Sequence, residues 1–386
     1  MSGPARILLC DDSVVIRGLL SKFIDAEDDL EVVGTAANGR IGVQKVASLQ
    51  PDLLVLDVEM PEMNGLDALR EIRPAHPDLP IIMFSTLTGR GASITLDALS
   101  AGASDYATKP STTDGALDAL TQVRSELIVK IRALLGSRAP GDRRFDRRPA
   151  ARSSPGAAAR STAATGDSPS AVRLRTMGRP TPTPQAVVVG SSTGGPVALE
   201  QVLTAISTPL PVPMFVVQHM PEKFTKALAD RLDKKSIHTV VEVDRPMTAE
   251  PGNVYVAAGG RHLRLAKAGA AVRAQPVDDP PVNSCRPSVD PLFESAAAIF
   301  GSHTLAVMLT GMGADGTDGT RTLASRGAPV IAQDEATSTV WGMPGSVVGA
   351  GLATEVLPLA QIGGRIAQLV GSSSSARRPV TAGSRP

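Results

Sequence analysis

The stretch AVVVGSSTGGP, residues 186–196, sets the terms for the rest of the chain. Four consecutive apolar residues suit a short, fully buried parallel strand. Gly190, Gly194 and Gly195 permit a tight turn with close backbone approach, and proline is favoured at the first position of a helix. A strand, a sharp turn and a helix starting near Pro196 follow, with Ser192 at the tip of the turn. Within it, Gly190-Ser191-Ser192-Thr193-Gly194 fits G-x-S-x-G, which exposes a serine hydroxyl and aims helix N–H groups at a developing oxyanion. On these five residues alone, a Gly/Ser loop cradling a phosphate is an equal alternative, although no Lys follows the glycines as a Walker loop requires.

With 386 residues the chain exceeds one ordinary core, so two or three domains are expected. Cys10 and Cys285 lie far apart and form no disulfide or metal-ligand pattern, which favours a reducing compartment. The apolar run 7–10 is too short for a signal peptide and ends in two acids, and no segment approaches membrane-spanning length. A cytoplasmic protein without membrane insertion is expected. The net charge of +1 makes no overall case for nucleic-acid binding.

Apolar runs at 7–10, 32–36, 53–57, 81–85 and 105–108 alternate with helix-like segments, the rhythm of a doubly wound parallel sheet. Such sheets gather their carboxyl ends at one edge. Asp11 and Asp12, Asp57, Ser85 and Lys109 would therefore meet there, and converging carboxylates call for a hard cation such as Mg²⁺. A single Asp at a strand end is more often a helix N-cap; five suitable residues at successive strand ends outweigh that. With Tyr106 and the Lys109-Pro110 pair they resemble the response-regulator receiver domain. The resemblance implies a flavodoxin-like fold and a phosphoryl group accepted by Asp57 from a histidine kinase. It further implies Mg²⁺ held by Asp12, Asp57 and the Glu59 carbonyl with Asp11 nearby, a switch through Ser85, Tyr106 and Lys109, and a cis Lys109-Pro110 bond.

From 136 to 184 the composition turns to Arg, Ala, Ser, Pro and Gly, with ten arginines against three aspartates. A disordered tether is expected, since Phe145 is its only stacking side chain for a nucleic acid. The tail 372–386 is similar. Between them, 185–371 again alternates strands and helices, and its chemistry sits at strand ends. Ser192 follows the first strand, His219 follows the run 214–218, and Asp315 lies in GMGADG after the run 304–310. A parallel sheet brings all three to one crevice as nucleophile, base and orienting acid, the parts that acyl transfer requires.

Six decoys compete. His238 and His303 precede apolar runs and belong at the opposite edge; His262 follows a run but lies in an apparent hairpin. Asp334 also follows a strand, without the flanking glycines of Asp315. Cys285 lacks a strand-to-helix turn and reads as an inert thiol. The segment 311–316 fits G-x-G-x-x-G, which keeps a dinucleotide-binding module open, although Asp315 would repel a pyrophosphate there. A receiver-linked, non-enzymatic interaction module is the other alternative.

The motifs GSSTGGP, QHMP (218–221), RPSVD (286–290), LTGMGADG (309–316) and WGMPGSV (341–347) closely resemble the catalytic domain of chemotaxis protein-glutamate methylesterases. That resemblance implies a Rossmann-like three-layer α/β domain and hydrolysis of γ-glutamyl methyl esters on chemoreceptor cytoplasmic helices. In many members it implies deamidation of receptor glutamines as well. It supports Ser192, His219 and Asp315 as a triad, with backbone N–H groups near Thr193 and Met312 as oxyanion donors and no cofactor for the esterase. The expected organisation is a receiver at 1–135, a linker at 136–184, an esterase domain at 185–371 and a tail at 372–386, in a monomer.

Overall fold

Every N-terminal strand read from the apolar runs is present within two residues of its expected start. The computed structural model describes residues 3–109, 116–136, 174–176 and 182–371. Strands β1 (Ala5–Cys10), β2 (Leu30–Ala36), β3 (Leu53–Asp57), β4 (Ile81–Ser85) and β5 (Asp105–Thr108) form a parallel sheet of order β2-β1-β3-β4-β5. Helices α1 (Val14–Ile24), α2 (Gly39–Leu49), α3 (Gly65–Ile72), α4 (Gly89–Ser100) and α5 (Ala116–Gly136) alternate with them. Ser13, Asn38, Asn64 and Thr88 each accept a backbone N–H three residues on, so the first four helices start from side-chain caps at the carboxyl edge. Each such cap stabilises its helix by about 1 kcal/mol. The same edge therefore carries the helix starts and the acidic residues.

The second domain holds strands β6 (Ala186–Ser191), β7 (Met214–Gln218), β8 (Thr239–Val243), β9 (Met247–Thr248), β10 (Asn253–Ala257), β11 (His262–Ala268), β12 (Ala271–Val277), β13 (Thr304–Met308), β14 (Val330–Gln333) and β15 (Glu355–Leu357). Its helices are α6 (Gly195–Thr204), α7 (Glu222–Lys235), α8 (Val289–Ile299), α9 (Thr317–Ser325), α10 (Gly342–Gly349) and α11 (Leu359–Gly371). Seven strands run parallel in the order β15-β14-β13-β6-β7-β10-β8, which puts the opening stretch in the middle. Alternate residues of β6 divide between the two faces. Val187 and Val189 pack with Leu199, Phe224 and Ile366, from α6, α7 and α11. Ala186 and Val188 pack with Phe293, Leu323 and Val347, from α8, α9 and α10. The three expected layers are there. A small antiparallel sheet, β11-β12-β9, is an addition that the strand-helix rhythm did not announce, and its hairpin confirms the context read for His262.

The N-terminal domain is docked against the second domain. One apolar cluster runs without a break from Leu96, Leu99 and Tyr106 into Phe224 and Leu228. The Tyr106 and Phe224 rings stack with centroids 4.8 Å apart. Arg231 of α7 reaches Asp97 at 2.6 Å and Ser100 at 2.7 Å on α4. The surroundings of β5 thus face the catalytic domain.

Most of 136–184 and all of 372–386 lie outside the described residues, as does Pro110 of the expected cis bond. Within the expected tether, Arg175 is docked. The Arg175 N–H donates to Ala353 O at 2.8 Å, and its guanidinium donates to Ala324 O at 2.8 Å and to Ala328 O. A cation on helix-end carbonyls is a stabilising contact that composition could not reveal. Among the described residues no helix is long and apolar enough to cross a membrane. Hydrogen bonds from charged groups contribute about 1.5–3 kcal/mol, so Arg175→Ala should lower the stability of the esterase domain by about 2 kcal/mol. Its urea midpoint, followed through Trp341, checks this, and an unchanged midpoint would show the contact to be idle.

Candidate active site

The turn after β6 is built so that one of its two serines is free. Ser191 Oγ donates to Gln218 Oε1 at 2.7 Å and is fully buried, whereas Ser192 is half-buried. Gln218 Nε2 donates to Ser192 O at 2.8 Å, which pins the backbone under the second serine. Gly194 has φ +76°, and a Cβ there would strike Thr339; a Cβ on Gly195 would strike Gln218 Oε1. Only glycine lets the chain turn this closely.

Register then brings the base and the acid alongside. Ser191 lies opposite Gln218 across β6 and β7, and the His219 N–H donates to Ser191 O at 3.1 Å. On the other side Met308 pairs with Gly190, and the Ser192 N–H donates to Thr310 O at 3.0 Å. His219 Nε2 and Asp315 Oδ2 are 2.8 Å apart. Nδ1 is therefore the ring nitrogen left for proton transfer. Among the described residues Ser192 Oγ makes no hydrogen bond to the imidazole in this docked form; such bonds tighten on substrate binding.

Burial alone would push the Asp315 carboxyl up, yet the His219 ring, Ser288 Oγ at 2.6 Å and the Val289 N–H at 2.7 Å hold it down at about 2. For His219 burial acts downward. The bond to Asp315 and the Cys285 sulfur outweigh it and raise the imidazole to about 9. Asn283 Nδ2 donates to Asp315 Oδ1 and to Asp290 Oδ2, both at 2.8 Å, so one amide bridges two carboxylates that would otherwise repel. Burial raises the Asp290 carboxyl, against the pull of the Gly319 N–H.

Ser192, His219 and Asp315 are thus gathered at one edge; of the decoys Cys285 lies beside them, while the other histidines and Asp334 are placed elsewhere. His238 and His303 precede β8 and β13, at the opposite edge. His262 is tied between Pro280 O and the Ser288 N–H, and Asp334 accepts from Thr337 to hold its own loop. Asp315 fills the turn that a dinucleotide pyrophosphate would need. Thr193 lies at the domain seam, its Oγ1 donating to receiver Asp105 Oδ2 at 2.8 Å. Met312 and Val340 pack with the receiver's own core cluster.

The sequence missed Asn283, Ser288 and the nearness of Cys285, whose Sγ lies 3.8 Å from His219 Nδ1. RPSVD was noted as a motif, but only the fold shows Ser288 reaching a residue 27 positions on.

At the receiver edge, oxygens of Asp11, Asp12 and Asp57 lie within 4.8 Å of one another. Lys109 Nζ stands 2.8 Å from both Asp11 Oδ2 and Asp57 Oδ2. Burial raises the Asp57 carboxyl to about 6 against the pull of Lys109. Hard oxygen donors this close fit Mg²⁺. The Glu59 N–H donates to Asp57 Oδ1 at 3.2 Å, and Ser85 is buried at the end of β4.

Replacing Asn283 with Ala leaves Asp290 and Asp315 facing each other without a bridge. The expected result is a folded protein whose ester hydrolysis falls about 10- to 100-fold in kcat, by analogy with other residues that orient a reacting group. An unchanged kcat would confine Asn283 to the turn.

A family model described as CheB methylesterase matches residues 187–366, and one described as response regulator receiver domain matches 7–121. A protein-glutamate methylesterase/protein-glutamine glutaminase of a Nocardioides species is 47% identical over 94% of this chain and 94% of its own length. A protein of the same description from Maricaulis maris is 43% identical over 93% of this chain and 94% of its own. The crystal structure of the Thermotoga maritima CheB methylesterase catalytic domain is 43% identical and covers 48% of this chain and 99% of that one, with a TM-score of 0.48. Two family matches in the order of the two folded domains, and relatives of this identity along nearly the whole length, place the chain in the CheB methylesterase family, with a response regulator receiver ahead of the catalytic domain.

Proposed function

We propose that the chain is a phosphorylation-controlled protein-glutamate methylesterase, a serine hydrolase that removes methyl groups from γ-glutamyl methyl esters on chemoreceptor cytoplasmic helices. The carrying observation is the His219–Asp315 pair beside the turn that exposes Ser192. Ser192 Oγ attacks the ester carbonyl while His219 takes its proton through the nitrogen that Asp315 does not hold. Backbone N–H groups of Thr193 and Met312 receive the oxyanion. The methoxide oxygen expelled from the tetrahedral adduct takes the proton back from His219 and leaves as methanol. Water, deprotonated by the same imidazole, then splits the acyl-enzyme to glutamate and free Ser192. With a glutamine side chain the leaving group is ammonia, and deamidation follows by the same steps.

Asp57 is the proposed phosphoryl acceptor from a histidine kinase. Asp12, Asp57 and the Glu59 carbonyl, with Asp11 beside them, would hold Mg²⁺, which neutralises charge on the phosphoryl oxygens when bound. In the docked form the receiver covers the Ser192 turn: Asp105 holds Thr193, and Met312 lies in its apolar cluster. A phosphoryl group adds roughly −1.5 to −2 charges, here by analogy for an aspartyl phosphate. Lys109, next after β5, and Ser85 would turn toward it. β5 carries both Asp105 and Tyr106, so a pull at one end of this short strand loosens two contacts of the seam and biases undocking.

Two outcomes test the catalytic half. Ser192→Ala should lower kcat by about 10⁴-fold or more, and Ser191→Ala far less. Because His219 must be neutral to accept a proton and is raised to about 9, ester hydrolysis by the docked form should increase with pH through neutrality and level off above about pH 9. The rate of Ser192→Ala, subtracted at each pH, removes hydroxide-driven hydrolysis. A profile already flat at pH 7 would show that the Asp315 contact does not hold the imidazole above neutrality in the working enzyme.

The gating half rests on the seam. Asp97→Lys removes the ion pair with Arg231 and adds repulsion, in a half-exposed residue remote from the chemistry. A surface pair is worth about 0.2–1 kcal/mol, so unphosphorylated full-length protein should gain about two- to fivefold in receptor demethylation. Asp57→Asn should stay low in the presence of its kinase. Equal rates for wild type, Asp97→Lys and the phosphorylated protein would remove the gating role.

A further inference from the structure

The catalytic assignment leaves Cys285 without a part. Residues 282–285 close a two-residue hairpin turn in which the Val282 N–H donates to Cys285 O at 3.1 Å and the Cys285 N–H to Val282 O at 2.8 Å. Asn283 and Ser284 both adopt left-handed backbone, φ 52° and 61°, which non-glycine residues enter at a cost. Asn283 is anchored there by its two carboxylate partners. The turn thereby delivers the Cys285 thiol to 3.8 Å from His219 Nδ1.

We propose that Cys285 Sγ and His219 Nδ1 form a binding site for a thiophilic divalent cation, best fitted by Zn²⁺, and that the bound ion silences the esterase. Zn–S of about 2.3 Å and Zn–N of about 2.0–2.1 Å, at a tetrahedral angle, put sulfur and nitrogen about 3.6 Å apart. The observed 3.8 Å needs almost no movement. Neutral imidazole and thiolate are the donors that such an ion prefers, and water would complete its shell. The opposite ring nitrogen is already on the Asp315 carboxylate at 2.8 Å, the arrangement that fixes the tautomer of a zinc-binding histidine. The ring is therefore oriented for a metal by the same Asp315 contact that orients it for catalysis, and the turn at 282–285 supplies the thiol. Binding displaces the thiol proton to solvent and, where the imidazole is protonated, the Nδ1 proton with it. It also occupies the lone pair that must accept the Ser192 proton, a consequence that rests on His219 being the base. The receiver acids attract cations too, but their donors are all oxygen, which suits Mg²⁺. Cys10 is no rival: its sulfur is buried against Asn38 O and Met60 Sδ.

The full-length protein, reduced and free of added thiol, is titrated with Co²⁺ as a spectroscopic substitute. The expected result is a thiolate-to-Co²⁺ absorption band in the near ultraviolet that Zn²⁺ abolishes. The band should be lost in Cys285→Ser, weakened in His219→Ala and kept in Cys10→Ser. In parallel, Zn²⁺ should inhibit ester hydrolysis reversibly by chelator, and Cys285→Ser should need at least tenfold more Zn²⁺ for the same fractional loss, each protein measured against its own metal-free rate. No band in wild type, or a band that survives Cys285→Ser, overturns the site. If the band is absent while Ser192→Ala is still inactive, the metal site fails and the serine hydrolase stands. If the band forms and ester hydrolysis continues undiminished, the silencing is refuted, and with it the role of His219 as base.

Discussion

Everything at the catalytic edge depends on keeping the Asp315 carboxylate ionised in a buried place. An unpaired buried charge is costly, and in an apolar setting the group would take up a proton instead. Here four donors surround it: the His219 ring, the Asn283 amide, the Ser288 hydroxyl and the Val289 N–H. They come from β7's end, from the turn at 282–285 and from the start of α8. The loop between β12 and α8 is therefore part of the candidate active site through the donors that it lends to Asp315. Its strained backbone is the local expense of holding those donors in place, and such strain concentrates where geometry must be enforced.

A second dependence runs through the seam. The same apolar cluster serves the receiver face bearing Tyr106 and the esterase face bearing Phe224, so docking shares a core and not merely a set of surface charges. The polar contact at its centre, Asp105 with Thr193, falls on a residue adjacent to Ser192. Lys130 Nζ lies 3.5 Å from Asp105 Oδ2 and 4.6 Å from the centre of the Tyr106 ring, so the receiver's own cation steadies both seam residues. A rearrangement around Lys109 thus has a short path to the Ser192 turn, along a strand of only four residues.

The strands and the residues at their ends were legible because parallel sheets announce themselves in two ways. Buried strands read as apolar runs, and topology puts their carboxyl ends together, so Asp57, Lys109, Ser192, His219 and Asp315 could be placed before any coordinates. What could not be read was lateral: which loop leans on which site. In the sequence Cys285 reads as an inert thiol because no strand-to-helix turn surrounds it, yet a turn held by Asn283 carries it to His219. Arg175 reads as tether because the segment around it is rich in Arg, Ala, Ser and Pro, and only the fold reveals the carbonyls that it meets. The β11-β12-β9 sheet escaped for a similar reason, since a half-exposed hairpin gives a weaker pattern than a buried strand.

The stacked pair Tyr106 and Phe224 also gives the seam a thermal character. Both rings are almost wholly buried, and apolar burial loses strength on cooling. The ion pair between Arg231 and Asp97 trends the same way, because its desolvation penalty falls as temperature rises. Both contributions make the receiver cling more firmly in warmth and less firmly in cold. The docked fraction would therefore carry a temperature dependence of its own, one that owes nothing to the chemistry at Ser192.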